Sequence, residues 1–161
     1  MDRDQAPDVC AQTPGSWLSR VQTVVIDHDF SKPPSRVFAY LAEHENLEAV
    51  LGAKIKRLTD GADGTRNGVG SSRQMRIGFM PPFIETNTEV IPDELIRYRI
   101  TKGSPLRDHE GVMRFSPNGN GAHLHWEITF KGVLPGVDWF VASTLRRGIP
   151  KGLAPVDSAI S

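Results

Sequence analysis

The hydrophobic period of this sequence changes after residue 132, and that change restricts the folds that the chain can adopt. Residues 53–132 divide into segments of alternating apolar and polar residues, separated by turns rich in Gly, Pro and Asn, as is typical of neighbouring antiparallel strands. The turn at residues 117–121, PNGNG, is the strongest hairpin signal because Asn-Gly supplies the positive φ angles of a tight turn. Beyond the strands, apolar residues recur every four positions from Val137 to Ile149, which predicts one amphipathic helix.

The segments before this region complete an α+β order. Residues 20–30 are rich in β-branched side chains and predict a first strand, and residues 31–51 predict two short helices that break near His44 to Asn46. We therefore expect a curved antiparallel sheet of six or seven strands around a long C-terminal helix, because the apolar stripe of that helix needs a sheet face to cover it. Pro150 lacks a backbone donor, so we expect the helix to kink or stop there.

Composition limits the kind of protein that the chain can be. Its 161 residues suit a single domain, and 39% hydrophobic with 24% charged residues is a globular composition. The 19 basic and 19 acidic residues balance, which argues against a nucleic-acid partner. We expect residues 1–18 to be a disordered leader and residues 19–161 to form one domain. No run reaches the roughly 18 apolar residues of a membrane span, and the start has no secretory pattern, so we expect no membrane span and a cytoplasmic location.

Several catalytic classes lack their motifs in this sequence. It contains no Gly-x-Ser-x-Gly, no His-Glu-x-x-His, no phosphate-binding loop and no Gly-x-Gly-x-x-Gly, so we predict no cofactor. Cys10 is the only cysteine and cannot form an internal disulfide. His123 and His125 are spaced to share one strand face, but Leu124 and Trp126 form the better inner face. Because no third ligand is evident, we predict no metal site.

The RDHEG segment at 107–111 places four ionisable side chains in a row. Alternate residues of a strand share a face, so His109 should share the inner face of Met113 and Phe115 and point into the interior near its rim. Its two acidic neighbours should point away from it. A histidine there has a suitable intrinsic pKa for a general acid or base, and the alternative is a rim histidine bonded to a backbone group.

Arg73 is the candidate cation of the interior. It alternates with Met75 and Ile77, and if this apolar set faces inward, Arg73 would bind a carboxylate or an enolate oxygen. The opposite strand register would turn Arg73 outward. A buried arginine needs an acidic partner, and a structural ion pair is the alternative to a functional site. The candidate partners are Asp108, Glu85 and Glu89.

Two further strand segments offer hydroxyl groups. Thr86 and Thr88 lie on one face of their strand, and Tyr98 shares a face with apolar residues of the next strand. Facing inward, these three residues would give an apolar cavity a few polar groups, which is the usual composition of a small-molecule site. The alternative is an ordinary edge of the core. Trp126 fits either a cavity wall or the core.

Five segments of the chain carry a family resemblance: VVIDHDFSKPPSRVFAYLAEHENL, GVGSSRQMRIG, ETNTEVIPDELIRYRIT, PLRDHEGVMRFSPNGNGAHLHWEITF and LPGVDWF. Spanning residues 21 to 153, the sequence resembles the START-like helix-grip superfamily, often called SRPBCC, and particularly its polyketide cyclase/dehydrase branch. The resemblance implies the helix-grip fold, in which a curved antiparallel sheet holds a C-terminal helix with an apolar tunnel between them. It is more specific for the fold than for an activity.

The resemblance also implies that the partner is a hydrophobic or aromatic small molecule bound between sheet and helix, and it leaves a homodimer open. In the enzymatic interpretation the chain is a polyketide cyclase/dehydratase-like lyase, in which His109 or Tyr98 moves a proton and Arg73 stabilises enolate charge. The alternative is a non-catalytic carrier or sensor of a lipid, quinone or similar apolar metabolite. The residues expected to contact the ligand are Thr86, Thr88, Met75, Met113, Phe115, Trp126 and Val141.

Overall fold

The computed structural model describes residues 20–78 and 80–160, and the predicted leader and Cys10 lie outside this range. The strands within it are β1 Gln22–Phe30, β2 Lys54–Thr59, β3 Ser72–Arg76, β4 Phe83–Ile91, β5 Leu95–Lys102, β6 Leu106–Asn118 and β7 Gly121–Gly132. The helices are α1 Pro34–Ala42, α2 Leu47–Leu51, α3 Val137–Leu153 and α4 Val156–Ala159, with a 3-10 turn at His44–Asn46.

The described strands form one sheet in the order β1-β7-β6-β5-β4-β3-β2, and every neighbouring pair is antiparallel. From β2 onward each strand pairs with its neighbour along the chain, as short turns require. β1 pairs instead with the last strand, so that Ile26 lies opposite Trp126. The predicted α+β architecture, with a curved antiparallel sheet, two short helices after the first strand and a long C-terminal helix, is confirmed.

Local signals place the ends of these elements as expected. The β6–β7 hairpin turns at the predicted Asn-Gly step, where Gly119 has a φ of +59°. α1 begins with Pro34 in its first turn, where the missing N–H of proline removes no helical hydrogen bond. α3 begins at Val137, the first residue of the predicted apolar repeat.

The core lies between the inner face of the sheet and α3. Alternate residues of β7, including Leu124, Trp126 and Phe130, are fully buried, and Ile149 and Leu153 of α3 are buried against this side of the sheet. These large apolar side chains supply most of the area that is removed from water on folding. The inner faces predicted for β6 and β7 are therefore confirmed.

Of the two outcomes expected at Pro150, a kink or a stop, the stop does not occur, because α3 continues to Leu153. The proline removes one intrahelical hydrogen bond, at a cost of about 3 kcal/mol. Ile149 and Leu153 flank it and are both buried, which contributes about 3–6 kcal/mol. The last turn also approaches α2 closely, since a Cβ on Gly152 would overlap the carbonyl of Val50. Tertiary packing therefore outweighs the local preference of proline.

Candidate functional site

A cavity of about 130 Å³ lies between α3 and the inner faces of the strands. Apolar side chains dominate its lining, among them Met75, Phe83, Ile100, Val141 and Leu145. Polar side chains on the lining are Glu85, Tyr98, Ser104, His109 and Thr144. Phe140 lines the cavity and is also 63% exposed, so the cavity opens to solvent at the N-terminal half of α3. A mostly apolar cavity with a few polar groups is the composition expected of a small-molecule site.

A β-bulge in β6 places His109 on the cavity wall. Arg107 pairs with Lys131 and Glu110 pairs with Thr129, so two residues of β6 oppose one of β7. Asp108 lies in this bulge and has a φ of +50°, a conformation that Asp adopts more readily than most residues. Because of the bulge, Leu106 and His109, three positions apart, both line the cavity.

Hydrogen bonding and burial define the protonation of His109. Its Nδ1 accepts a hydrogen bond from the backbone N–H of Ile100 at 3.3 Å, so the neutral ring carries its proton on Nε2. The side chain is only 7% exposed, and burial lowers the pKa of His109 below its usual value. The ring is therefore neutral at pH 7, with a donor on Nε2 that lies 4.0 Å from Oε1 of Glu85.

Glu85 is the acidic partner of Arg73. The Nε and Nη2 atoms of Arg73 both donate to Oε2 of Glu85, at 3.0 Å and 2.7 Å. The two residues are opposite each other on β3 and β4 and are 2% and 5% exposed. The carboxylate of Glu85 offsets the desolvation cost of the buried Arg73 guanidinium. The ion pair leaves Oε1 of Glu85, which has no hydrogen bond within the described part of the chain, beside His109.

Tyr98 lies between these two groups. Its ring centroid is 4.9 Å from the guanidinium carbon of Arg73, a cation–π arrangement, and 5.8 Å from the ring centroid of His109. Its hydroxyl accepts a hydrogen bond from Nε1 of Trp126 at 2.9 Å. Burial raises the pKa of the Tyr98 hydroxyl well above its usual range, so this group is protonated at any ordinary pH.

The three residues that sequence reasoning assigned to catalysis therefore meet at one end of the cavity. His109 and Tyr98 line it, whereas Arg73 is not among the described lining residues and contacts Glu85 and Tyr98 behind the wall. No hydrogen bond joins any two of the three within the described residues. Their catalytic roles stay predictions.

The residues predicted to contact a ligand divide into three groups. Met75 and Val141 line the cavity. Met113, Phe115 and Trp126 are buried in the core and are not among the described residues that line it. Trp126 reaches the site through its hydrogen bond to Tyr98, and Phe115 packs edge-on against Phe38 of α1.

The inward orientation predicted for Thr86 and Thr88, the third group, is wrong. Thr86 shares a hydrogen bond with Thr101 on the outer face, and the hydroxyl of the exposed Thr88 donates to the carbonyl of Arg97. Glu85 and Asn87, which alternate with them along β4, point inward instead. Polar residues occupy both faces of this stretch of β4, so alternation alone did not reveal which face was buried.

Sequence reasoning missed Glu85 as a cavity residue, although it considered Glu85 as a partner of Arg73. Two signals were available. Phe83 lies two residues before Glu85, on the same face of β4, and is buried. Arg73 on the neighbouring strand needed an acidic partner. The inward orientation of Arg73 and Met75 agrees with the face predicted for β3.

Other charged groups of the sequence motifs face outward. Asp108 accepts a hydrogen bond from Lys131, and Glu110 bonds Arg97 and Arg99, as expected for groups that point away from His109. His123 and His125 also lie on the outer face as predicted, bonded to aspartates of β1. Among residues 20–78 and 80–160, no cluster of three or more His, Cys, Asp or Glu is arranged to hold a metal ion.

A family model described as polyketide cyclase / dehydrase and lipid transport matches residues 16–158. The chain belongs to this family. The match spans both the sheet and α3, so the cavity described above lies within the family domain. No curated protein is significantly similar to the chain in sequence.

Solved structures share the fold at low sequence identity. TTHA0849 from Thermus thermophilus superposes with a TM-score of 0.70 at 15% identity, covering 86% of this chain and 97% of its own. Mll3558 from Rhizobium loti gives 0.61 at 20% identity, covering 84% and 96%. CV1439 from Chromobacterium violaceum gives 0.60 at 23% identity, covering 86% and 96%. These similarities establish the helix-grip architecture over most of the chain. Across the described residues, no helix is both long and apolar enough to cross a bilayer.

Proposed function

We propose that the chain binds a small apolar or aromatic molecule in the cavity between the sheet and α3. The observation that carries this proposal is an apolar cavity of about 130 Å³ whose lining includes two neighbouring buried polar groups, Glu85 and His109. Apolar walls supply affinity and a few placed polar groups supply orientation. Family membership supports hydrophobic ligand binding as the general activity.

Native mass spectrometry of the purified protein tests this proposal, followed by extraction and identification of any compound that copurifies. We expect a defined apolar or aromatic adduct that is released by organic solvent. A mass equal to the bare chain, together with no detectable binding of single-ring aromatic probes, would overturn the proposal. Apolar probes should shift the thermal midpoint upward, because a ligand that binds only the folded state stabilises it.

A second candidate function is a polyketide cyclase/dehydratase-like lyase. The position of His109 favours it, because Nε2–H can donate to a substrate carbonyl while the nearby Oε1 of Glu85 accepts a proton from the adjacent carbon. In this scheme Arg73 acts by holding Glu85, and Tyr98 acts as part of the wall. Deuterium exchange at the central carbon of a 1,3-diketone, followed by NMR, distinguishes the candidates. A lyase accelerates exchange and His109→Phe abolishes the acceleration, whereas a carrier or sensor leaves exchange at the solvent rate.

The cellular setting is a separate proposal. We propose a cytoplasmic location, and a homodimer as one assembly to test. Light scattering after gel filtration measures the assembly directly. A mass near 17.8 kDa identifies a monomer, and twice that mass identifies the dimer.

A further inference from the structure

We infer that the ligand is a small neutral phenol, whose single ring fills the apolar cavity and whose hydroxyl bridges Glu85 and His109. The inference rests on the proposed function, because it names the ligand class of the same cavity. Three observations carry it: the donor and acceptor at the inner end, the charge there, and the volume of the cavity.

Together, His109 and Glu85 present one donor and one acceptor to the cavity. Nε2–H of His109 donates, and Oε1 of Glu85 accepts, and the two atoms are 4.0 Å apart. At that separation they do not bond each other, but one oxygen atom placed about 2.8 Å from each would bond both. A hydroxyl group is both donor and acceptor, so it satisfies both partners at once. An ether or a ketone accepts only and would leave Oε1 of Glu85 without a donor.

The charge at this end favours a neutral ligand. The carboxylate of Glu85 is already paired with the guanidinium of Arg73, and His109 is neutral. A carboxylate ligand would therefore meet the Glu85 charge without a cation of its own, and like charges at close range in a dry site repel strongly. Among neutral hydroxyl compounds a phenol is the stronger donor, because its O–H is more acidic than that of an aliphatic alcohol.

The size of the cavity selects a single ring. Its volume is about 130 Å³. An engineered protein cavity of about 150 Å³ holds one benzene molecule, so the enclosed part of this cavity fits one ring with small substituents, and a longer substituent would have to leave through the opening at Phe140. The rings of Phe83, Tyr98 and Phe140 contribute to the lining and offer edge-to-face or stacked contacts to an aromatic guest.

Calorimetric titration with four probes of similar size tests the inference. The probes are p-cresol, toluene, 4-methylcyclohexanol and 4-methylbenzoate. We expect p-cresol to bind at least about tenfold more tightly than toluene, since a hydrogen bond to a charged group commonly contributes that much. We expect 4-methylcyclohexanol to fall between them and 4-methylbenzoate to bind most weakly.

Variants locate the preference at the inner end. His109→Phe keeps an aromatic ring and removes the Nε2 donor, so the ratio between p-cresol and toluene should fall, while the hydrogen bond from the phenol hydroxyl to Glu85 remains. The matched control is His125→Phe on the outer face of β7, which should leave the ratio unchanged. Arg73→Leu combined with Glu85→Leu removes the acceptor without leaving a buried charge unpaired, and it should lower the ratio even if His109→Phe fails to fold.

The possible results separate the two proposals. Equal binding of p-cresol and toluene by the wild type would overturn the phenol inference and leave the apolar cavity standing. Preferred binding of 4-methylbenzoate would also overturn it. Binding of none of the four probes would overturn the inference, and together with a native mass equal to the bare chain it would overturn the proposed function as well. A preference for p-cresol that survives both the His109 and the double variant would show that the hydroxyl is recognised elsewhere, and would overturn the assignment to this pair.

Discussion

The ring of Tyr98 lies directly over the backbone of Gly111, its partner on the neighbouring strand. A Cβ on residue 111 would lie 2.6 Å from Cε1 of Tyr98 and would overlap the rest of the phenol. The position therefore accepts only glycine while Tyr98 keeps its place. This relationship holds the ring against Arg73 and its hydroxyl on Trp126.

Gly111→Ala should displace Tyr98 and destabilise the domain. The added methyl group overpacks a closed region, which typically costs about 1–3 kcal/mol, and the loss of the buried bond to Trp126 adds to it. Urea unfolding followed by tryptophan fluorescence measures the change. Tyr98→Phe is the matched variant that removes only the hydroxyl. If Gly111→Ala were as stable as the wild type, Tyr98 would not be confined by this contact.

Glu85→Leu should destabilise the protein by about 3–5 kcal/mol, because it leaves the guanidinium of Arg73 buried without a partner. Arg73→Leu combined with Glu85→Leu should recover most of that loss. Chemical denaturation of the two variants gives the difference. Arg99→Leu, at an exposed ion pair with Glu110, is the control and should cost less than about 1 kcal/mol. A double variant no more stable than Glu85→Leu would contradict this explanation.

His44 should make the protein less stable in mild acid. The residue is fully buried, and burial, with help from the nearby Arg73 and Arg57, lowers its pKa to about 3. The unfolded chain binds a proton near pH 6.5, whereas the folded protein excludes it until about pH 3. Stability attributable to His44 is therefore complete above pH 6.5 and is lost as the pH falls toward 3, by roughly 5 kcal/mol in total.

The measurement for His44 is the unfolding free energy of the wild type and of His44→Leu at several pH values. Leucine has a similar volume and no titrating group, so the difference between the two proteins isolates the histidine from the carboxylates. The wild type should lose stability relative to the variant as the pH is lowered from 7 to 4. Parallel curves would mean that His44 takes up its proton as readily in the folded protein as in the unfolded chain.

Gly148→Leu should close the cavity. Gly148 lines it from α3, and a Cβ at this position meets no atom within 4 Å, so a larger side chain can enter the empty space. Ligand binding should weaken at least tenfold, while replacement of a helical glycine should raise the unfolding free energy by about 0.5–1 kcal/mol. Gly148→Ala is the control, because it gains the helix propensity and keeps most of the volume. Equal affinity of the Leu and Ala variants would place the ligand elsewhere.

Much of the fold could be predicted from local pattern. In β7, Leu124, Trp126 and Phe130 alternate with polar residues, and this contrast alone identifies the buried face. The same contrast correctly placed His109 on the inner face of β6. It failed in β4, where Thr86 and Glu85 are both polar, and the burial of Phe83 and the pairing of Glu85 with Arg73 decide which one is buried.

The sequence by itself determined the order of strands and helices, the long closing helix and most of the inner face, because hydrophobic period and turn chemistry act over a few residues. The tertiary structure alone decided which polar groups meet. The bulge at Asp108 brings Leu106 to the wall that His109 lines, and the β3–β4 register puts Glu85 beside Arg73. The positions of these polar groups depend on contacts between residues far apart in the chain. In such contacts, burial of one ion pair or one ring outweighs any local preference.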